Sequence, residues 1–377
     1  MNVALTSTVF NREGGISRYV YELAHGLSMD AGVGEVHVLT GRNDDGCSKL
    51  RFHRSPTIFK PISARILSNT FFNTLIGHKL KFSGVVDVVH GNGAEYVRPD
   101  VLTAHSVHKA GVAASKKVRG GRYGLLKFFE PRSNVVLGVE KLNYSLLGDR
   151  EVIAVSSVVK GDIVDCYGVC EDKIHVVYNG VDSDFFRPGD MLGREVLRCQ
   201  LGFSPDDVVA VFCGWEFRRK GLMQIIDSLR YLKNVKVLVL GSGDKTPFVE
   251  RAIRLGVVGR VVFVGHVCPL RFYQASDLLL FPTLYEPFGL VITEAMACGL
   301  PVVTSRCAGA GELITDGVEG LLLDDPCCVG EIVEAVDYII DNDLFRLMGD
   351  SGRSSILPYS WGNNVKQTLN IYLKGDL

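Results

Sequence analysis

No stretch of the 377 residues approaches the roughly 20 consecutive apolar positions that a membrane-spanning helix needs, so the chain is not expected to cross a bilayer. No signal-peptide pattern precedes the first strand-like run, which argues for a cytoplasmic protein. The ten cysteines form no Cys-x-x-Cys pair and are joined by no histidine pair of zinc spacing, so neither a zinc site nor a redox dithiol is expected. They read instead as reduced, mostly core thiols. Net charge is only −1, which gives no footprint for nucleic acid. No short-period repeat and no low-complexity tract occurs. An apolar share of 47% against 22% charged residues excludes a disordered chain.

What the sequence does hold is an alternation. Apolar runs such as NVALTST, EVHVLT, VVDVVHG, DVLTAHS and REVIAVS in the first half, and VVAVFCGW, VKVLVLG, VVFVGH, DLLLFPT and LPVVTS in the second, are continuous rather than alternating. That is the pattern of parallel strands covered on both faces. Amphipathic segments such as ISRYVYELAHGLSM, FVERAIRLG and VGEIVEAVDYIID separate them. The expectation is an α/β protein of two Rossmann-like, doubly wound domains facing across a cleft. Residues 1–178 form the first, joined by a C-terminal helix over 360–377. A linker rich in Asn, Gly, Asp and Pro spans 179–190, and the second domain covers 191–359.

Charge is distributed unevenly. Residues 1–180 carry 22 Lys+Arg against 17 Asp+Glu, and the remainder 19 against 25. Lys109, Lys116, Lys117, Arg119, Arg122, Lys127 and Arg132 cluster, interrupted only by Glu130. They read as a solvated helix face, or as a patch facing an anionic membrane surface or a phosphorylated acceptor.

The stretch YEPFGLVITEAMACGLPVVTS runs from Tyr285 to Ser305. DLLLFPT reads as a buried strand ended by Pro282, and GLVITEAMA as a helix ended by Gly299 and Pro301. Glu286 then lies in the strand-to-helix loop, and Glu294 about 8 Å along the helix at ~1.5 Å per residue. Between them the amides of the first turn, around Phe288, Gly289 and Leu290, favour a phosphate. The order is acid, anion site, acid. A nucleotide-sugar presents sugar hydroxyls, diphosphate and ribose hydroxyls in that order, and carboxylates accept well from paired hydroxyls. Arg219 and Lys220, before Gly221 at another helix start, supply fixed positive charge for a diphosphate leaving group, with Arg218 beside them.

EPFGLVITE resembles the E-x7-E motif of the retaining GT-B glycosyltransferases of the family 4 type. GGISRYVYELAHGL, KIHVVYNGVDSDFFRP, RRKG and ELITDGVEGLLL are similar to that family's other motifs, and the likeness runs over nearly the whole chain. Weaker features resemble the bacterial lipopolysaccharide core glucosyltransferases. The resemblance implies that Glu286 accepts from donor sugar hydroxyls and that Glu294 holds the ribose. It also implies that Gly15, after Gly14, allows close backbone approach, that His105 stands near the transferred sugar and that the backbone near His266 meets the base. Gly214 is followed by Trp215 where the family commonly has an arginine soon after. Arg18 reads as structural or acceptor-facing, His108 as a neighbour of His105 with a weaker claim to its role, and Glu312 and Asn179 as structural. Gly241 and Gly243 in VLVLGSGDKT imitate a dinucleotide fingerprint, but the third glycine position holds Thr246.

The expected function is transfer of a hexose from a nucleoside diphosphate sugar, UDP-glucose by preference, to a cell-envelope glycan or glycolipid. No metal and no further cofactor is expected, because cationic side chains and amides neutralise the diphosphate. A glycoside hydrolase built on paired carboxylates has no use for a phosphate cradle. A non-catalytic nucleotide-sugar-binding protein is the other alternative.

Overall fold

Strands that are apolar on both faces must be covered by helices on both, and the chain meets this demand twice. The computed structural model describes residues 1–43, 47–58, 60–119 and 130–374, without the side chains of residues 43 and 116–119. Two compact units result: Met1–Gly180 with Trp361–Leu377, and Val181–Ser360.

Unit 1 runs β1 (Val3–Phe10), α1 (Ile16–Leu27), β2 (Val36–Asn43), β3 (Leu50–Arg54), α2 (Ile62–Phe82), β4 (Val88–Asn92), β5 (Val101–Ala104), α3 (His108–Arg119), α4 (Pro131–Ser145), β6 (Glu151–Ala154), α5 (Ser157–Tyr167) and β7 (Ile174–Val176). Its parallel sheet has the order β3-β2-β1-β4-β5-β6-β7. Val3 pairs with Val36 on one side and Val88 on the other, so β1 is central, and it is buried except at Thr8 and Val9. Helix α1 buries Tyr19, Val20, Leu23, Ala24 and Leu27, a single helical stripe.

Unit 2 runs α6 (Met191–Gln200), β8 (Val208–Cys213), α7 (Leu222–Ser228), β9 (Val235–Leu240), α8 (Thr246–Arg254), β10 (Val261–Gly265), α9 (Leu270–Ala275), β11 (Leu278–Phe281), α10 (Leu290–Ala297), β12 (Val302–Ser305), β13 (Gly320–Leu323), α11 (Val329–Asp341) and α12 (Phe345–Ile356). The chain then returns to unit 1 as α13 (Trp361–Lys374). The parallel order is β10-β9-β8-β11-β12-β13. In both sheets the order reverses at one place, between β1 and β4 and between β8 and β11. Loops leaving two such neighbours diverge, which opens a crevice at the strands' C-terminal ends.

The segment expected as a linker is packed onto unit 2 from Val181 onward. The Val181 N–H donates to the Tyr359 carbonyl at 2.9 Å, and Phe186 is buried 6.1 Å from the Tyr273 ring. Close packing accounts for the fingerprint-like glycines. A Cβ on Gly241 would lie 1.8 Å from the Gly214 carbonyl oxygen, and one on Gly243 2.7 Å from that of Trp215. Among the described residues no helix is long and apolar enough to cross a membrane.

Unit 1 carries a buried polar chain that makes its stability depend on pH. His90, fully buried, pairs through Nδ1 with the Tyr372 hydroxyl of α13 at 2.5 Å and through Nε2 with Thr103 at 2.6 Å. Burial, with a smaller contribution from His105, pushes its imidazole down to about 3. The unfolded chain binds this proton near pH 6.5, so the native state loses stability as pH falls from there toward 3, by about 1.4 kcal/mol per pH unit for one such group. Urea midpoints should therefore drop between pH 7 and pH 5, and His90→Asn should flatten that drop. An unchanged slope in the variant would count against the assignment.

Candidate functional site

The crevice of unit 2 is made by three loops. After β8 the chain passes Gly214 and turns through Trp215–Lys220 to Gly221, the N-cap of α7. After β11 it passes Pro282 and reaches α10 through Glu286 and Gly289, which caps that helix at φ +98°. The two loops are joined: the Leu284 N–H donates to the Arg219 carbonyl at 2.9 Å, and the Arg219 guanidinium donates to the Tyr285 carbonyl. The loop after β12 fixes the second. The Glu286 N–H donates to the Cys307 carbonyl at 3.1 Å, and the N–H groups of Gly309 and Ala310 donate to Glu286 and Phe288 at 2.9 and 2.7 Å. Glu286 is thus held by its backbone, independently of its side chain.

That side chain meets two cations. Lys220 Nζ lies 2.6 Å and Arg219 Nη1 3.5 Å from Glu286 Oε2. Burial pushes the Glu286 carboxyl up, but Lys220 and Arg219 together outweigh it and hold the group below its ordinary value, so it is ionised at neutral pH. Lys220 also stands 4.8 Å over the Phe281 ring, and its stem crosses Gly214, where a Cβ would lie 2.3 Å from Lys220 Cδ. Arg219 is shared with the exposed Glu216, Nε to Oε2 at 2.8 Å. Its neighbour Arg218 turns toward the Phe248 ring instead, 5.9 Å away.

Glu294 sits one turn into α10 and is buried, accepting from the Tyr273 hydroxyl at 3.2 Å. Burial, with Glu294 as a second cause, pushes the Cys213 and Cys298 thiols up to about 12, so neither is a nucleophile. Between the acids, Phe288, Gly289 and Leu290 form the mouth of α10, where the Ile292 N–H donates back to the Gly289 carbonyl at 2.9 Å and the amides ahead of it have no intrahelical acceptor. His266, just beyond β10, stands edge-on to Trp215 with centroids 5.3 Å apart, and both rings are exposed. Unit 2 therefore brings Arg219, Lys220, Glu286, Phe288, Gly289, Leu290 and Glu294 to one switch point, with His266 two strands away across the sheet.

Gly15, Gly14 and His105 belong to unit 1. Gly14, at φ +82°, and Gly15 open α1, and a Cβ on either would meet nothing within 4 Å, so space lies before this turn. His105 follows β5. Its Nε2 lies 3.0 Å from Asn92 Oδ1, its ring 4.6 Å edge-on from Tyr19, and burial pushes it down to about 3, so it is neutral. His108 is structural: its N–H donates to Glu140 Oε1 and its Nε2 pairs with Ser133, each at 2.7 Å. Of the basic cluster, Arg122 and Lys127 and the side chains of Lys116, Lys117 and Arg119 lie outside the described residues. Lys109 donates to the Cys166 carbonyl at 2.8 Å.

Three neighbours of these positions escape sequence reasoning. Tyr273 and Asn92 stand in no motif. Glu95 follows β4, at the switch point of unit 1, and only that place could have flagged it. Its Oε1 accepts from Thr8 N–H at 2.9 Å and hydroxyl at 2.5 Å, while its Oε2 is buried without a partner. Burial outweighs those bonds and pushes the carboxyl up to about 7. A cavity of about 530 Å³ in the same unit is lined by Gly41, Arg54, Pro56, Thr57, Ile58 and Phe72. Among the described residues no group of three or more His, Cys, Asp or Glu is gathered as a metal site.

Two family models match the chain: "Glycosyl transferases group 1" over residues 193–354 and "Glycosyltransferase Family 4" over residues 13–185. An uncharacterized glycosyltransferase of Methanocaldococcus jannaschii is 32% identical over 232 residues, and the match spans 59% of each chain. Among solved structures, WaaG, a glycosyltransferase involved in lipopolysaccharide biosynthesis, superposes with a TM-score of 0.80 at 20% identity, covering 99% of this chain and 100% of that one. HepE of Anabaena in complex with UDP and glucose gives 0.71 at 19% identity, covering 99% of each chain. At such identities the two structures establish the fold, GT-B.

Proposed function

Because the chain belongs to the group 1 glycosyltransferases, we propose that it transfers a hexose from a nucleoside diphosphate sugar, UDP-glucose first among the candidates, to a hydroxyl of a cell-envelope glycan, with retention at the anomeric carbon. The observation that carries the reading is Glu286, ionised and held between Lys220 and Arg219 at the mouth of α10. Donor sugar hydroxyls donate to the Glu286 carboxylate, ribose hydroxyls donate to Glu294, and the diphosphate lies against the first-turn amides. As the bond to the sugar breaks, negative charge grows on the leaving phosphate, and Lys220 and Arg219 stabilise it there. That phosphate is also a base within reach of the acceptor hydroxyl, whose proton it takes. His105, neutral, positions the sugar. Gly14 and Gly15 leave room at the first turn of unit 1. The UDP and glucose in HepE favour this donor class.

The acceptor proposed is a phosphorylated or lipid-linked glycan such as a lipopolysaccharide core, consistent with the role stated for WaaG and with the basic segment 109–132. A donor panel read by nucleotide release, with envelope glycans as acceptors, tests this. UDP release that depends on acceptor, with a product one hexose heavier, is expected. Release from no donor, or hydrolysis of free glycosides instead, would overturn it.

Substituting Lys220 by methionine keeps the stem over Phe281 but removes the charge. Turnover should fall roughly a hundredfold, as for loss of one stabilising donor at a developing anion. A change confined to the Michaelis constant would instead mark Lys220 as a ground-state binding group.

A further inference from the structure

Helix α2 is apolar on its outer face as well as its inner one: Ile76 and Leu80 pack, partly buried, on the core around Ala4, Leu39, Val86, Val89 and Tyr96. The residues it buries against unit 1 are Ser68, Asn69, Thr70, Asn73 and Gly77. They are held by polar contacts. Ser68 Oγ accepts from the Ile58 N–H at 3.0 Å, and Asn69 donates to the Thr8 hydroxyl at 3.1 Å. Thr70 donates to the Ala94 carbonyl at 2.6 Å and Asn73 to that of Glu95 at 3.2 Å. Gly77 lies so close to the Tyr96 ring that a Cβ would come within 2.6 Å of it. The outward face is apolar: Leu67, Phe71, Leu75 and Phe82 are 58, 60, 57 and 97% exposed. At about 100° per residue the four fall within one arc of roughly 80°. Packing on the sheet accounts for Ile76 and Leu80 but not for these four, which a surface helix would normally replace by polar residues. Four large apolar side chains turned to water in one line mark an interaction surface.

Charge decides what covers it. Across its 21 residues α2 carries Arg65, His78, Lys79 and Lys81 and no Asp or Glu. Helix α4 packs beside it, exposing Leu142, Lys141 and Arg132. The one acid of α4, Glu140, is turned inward to the His108 N–H and the Tyr167 hydroxyl. Of the acids nearby, Asp87 accepts from the Asn2 N–H and Asp100 from Lys81 and the Val89 N–H, and Glu130 stands just before α4. A second copy of this chain docked α2 to α2 would set like charges face to face. An anionic bilayer accepts both features, leucine and phenylalanine among the acyl chains and lysine and arginine at the headgroups.

We propose that α2, with the exposed edge of α4, lies in the surface of an anionic membrane. This goes beyond the transfer reaction and stands whether or not that reading holds. The full chain is sedimented with phosphatidylcholine vesicles with and without phosphatidylglycerol. Wild type is expected to bind the anionic vesicles, and the triple variant Phe71→Ser, Leu75→Ser, Phe82→Ser to bind at least tenfold more weakly, with its melting curve and UDP binding unchanged. Leu75→Trp should be quenched by lipids brominated in the acyl chain, which separates insertion from charge attraction alone. Three results would overturn the proposal: wild type left in the supernatant, a triple variant that binds as well, or a wild-type dimer that the triple variant turns into a monomer with no vesicle binding in either.

Discussion

Exchanging Glu286 for glutamine lowers turnover by roughly two to three orders of magnitude, the cost of losing one well-placed polar group that acts in the transition state. The substitution keeps volume and shape, and three backbone hydrogen bonds hold residues 286 and 288 whatever the side chain. What changes is charge. The carboxylate is the partner of Lys220 at 2.6 Å and of Arg219 at 3.5 Å, both largely buried. Removing it leaves the largely buried Lys220 without its counter-ion and Arg219 with only the exposed Glu216, which destabilises the free protein by about 3–5 kcal/mol. A diphosphate brings that negative charge back. UDP should therefore bind the variant at least as tightly as wild type and raise its melting temperature more, while transfer collapses. Calorimetry with UDP, beside the transfer assay, reads both quantities. Transfer within threefold of wild type would remove Glu286 from the mechanism. Weaker UDP binding would place it in ground-state donor binding instead.

Gly221→Val prevents unit 2 from folding normally. Gly221 combines a left-handed backbone, φ +84°, with a close approach in which a Cβ would lie 2.1 Å from the Pro282 carbonyl oxygen. The conformation alone costs about 1–3 kcal/mol in a residue other than glycine. The clash cannot relax cheaply, because Pro282 leads directly into the loop that Leu284 and Tyr285 tie to Arg219. A total beyond about 4 kcal/mol is a large share of a domain's stability. The control is Gly14→Ala. Its φ of +82° is nearly the same, but nothing stands within 4 Å of the added carbon. It should melt only a few degrees lower. If the two variants melted alike, the approach of Gly221 to Pro282 would carry no weight.

The long apolar strands were legible because they are buried on both faces and read as uninterrupted runs. Three others were not. Strand β3, LRFHR, lies at a sheet edge and carries Arg51, His53 and Arg54 among its five residues, β7 is three residues long, and β13 is only four, one glycine and three leucines. Helix α2 was illegible for a different reason: its apolar residues lie on both faces and polar ones share the inner face, so periodicity picks out no single stripe. Within the site, Glu286, Glu294, Arg219 and Lys220 were legible because strand ends and helix starts mark where backbone amides are open. Their pairing was not, since the contact of Glu286 with Lys220 joins positions 66 residues apart. Tyr273 and Asn92 were hidden because a lone tyrosine or asparagine carries no spacing signal. The glycines of VLVLGSGDKT had a meaning that spacing could not supply, the near touch of two chain crossings.

The bridge between Val181 and Ser360 has a practical reach. It brings together the points at which the polypeptide leaves the first sheet and comes back to it, so the second unit is spliced into the first like a sentence in parentheses. Its 181–360 span already has adjoining ends. It can be excised as one uninterrupted piece, or given new termini at a surface turn with a short peptide closing the old ones. Nucleotide recognition could then be followed in isolation, free of whatever the other unit contributes.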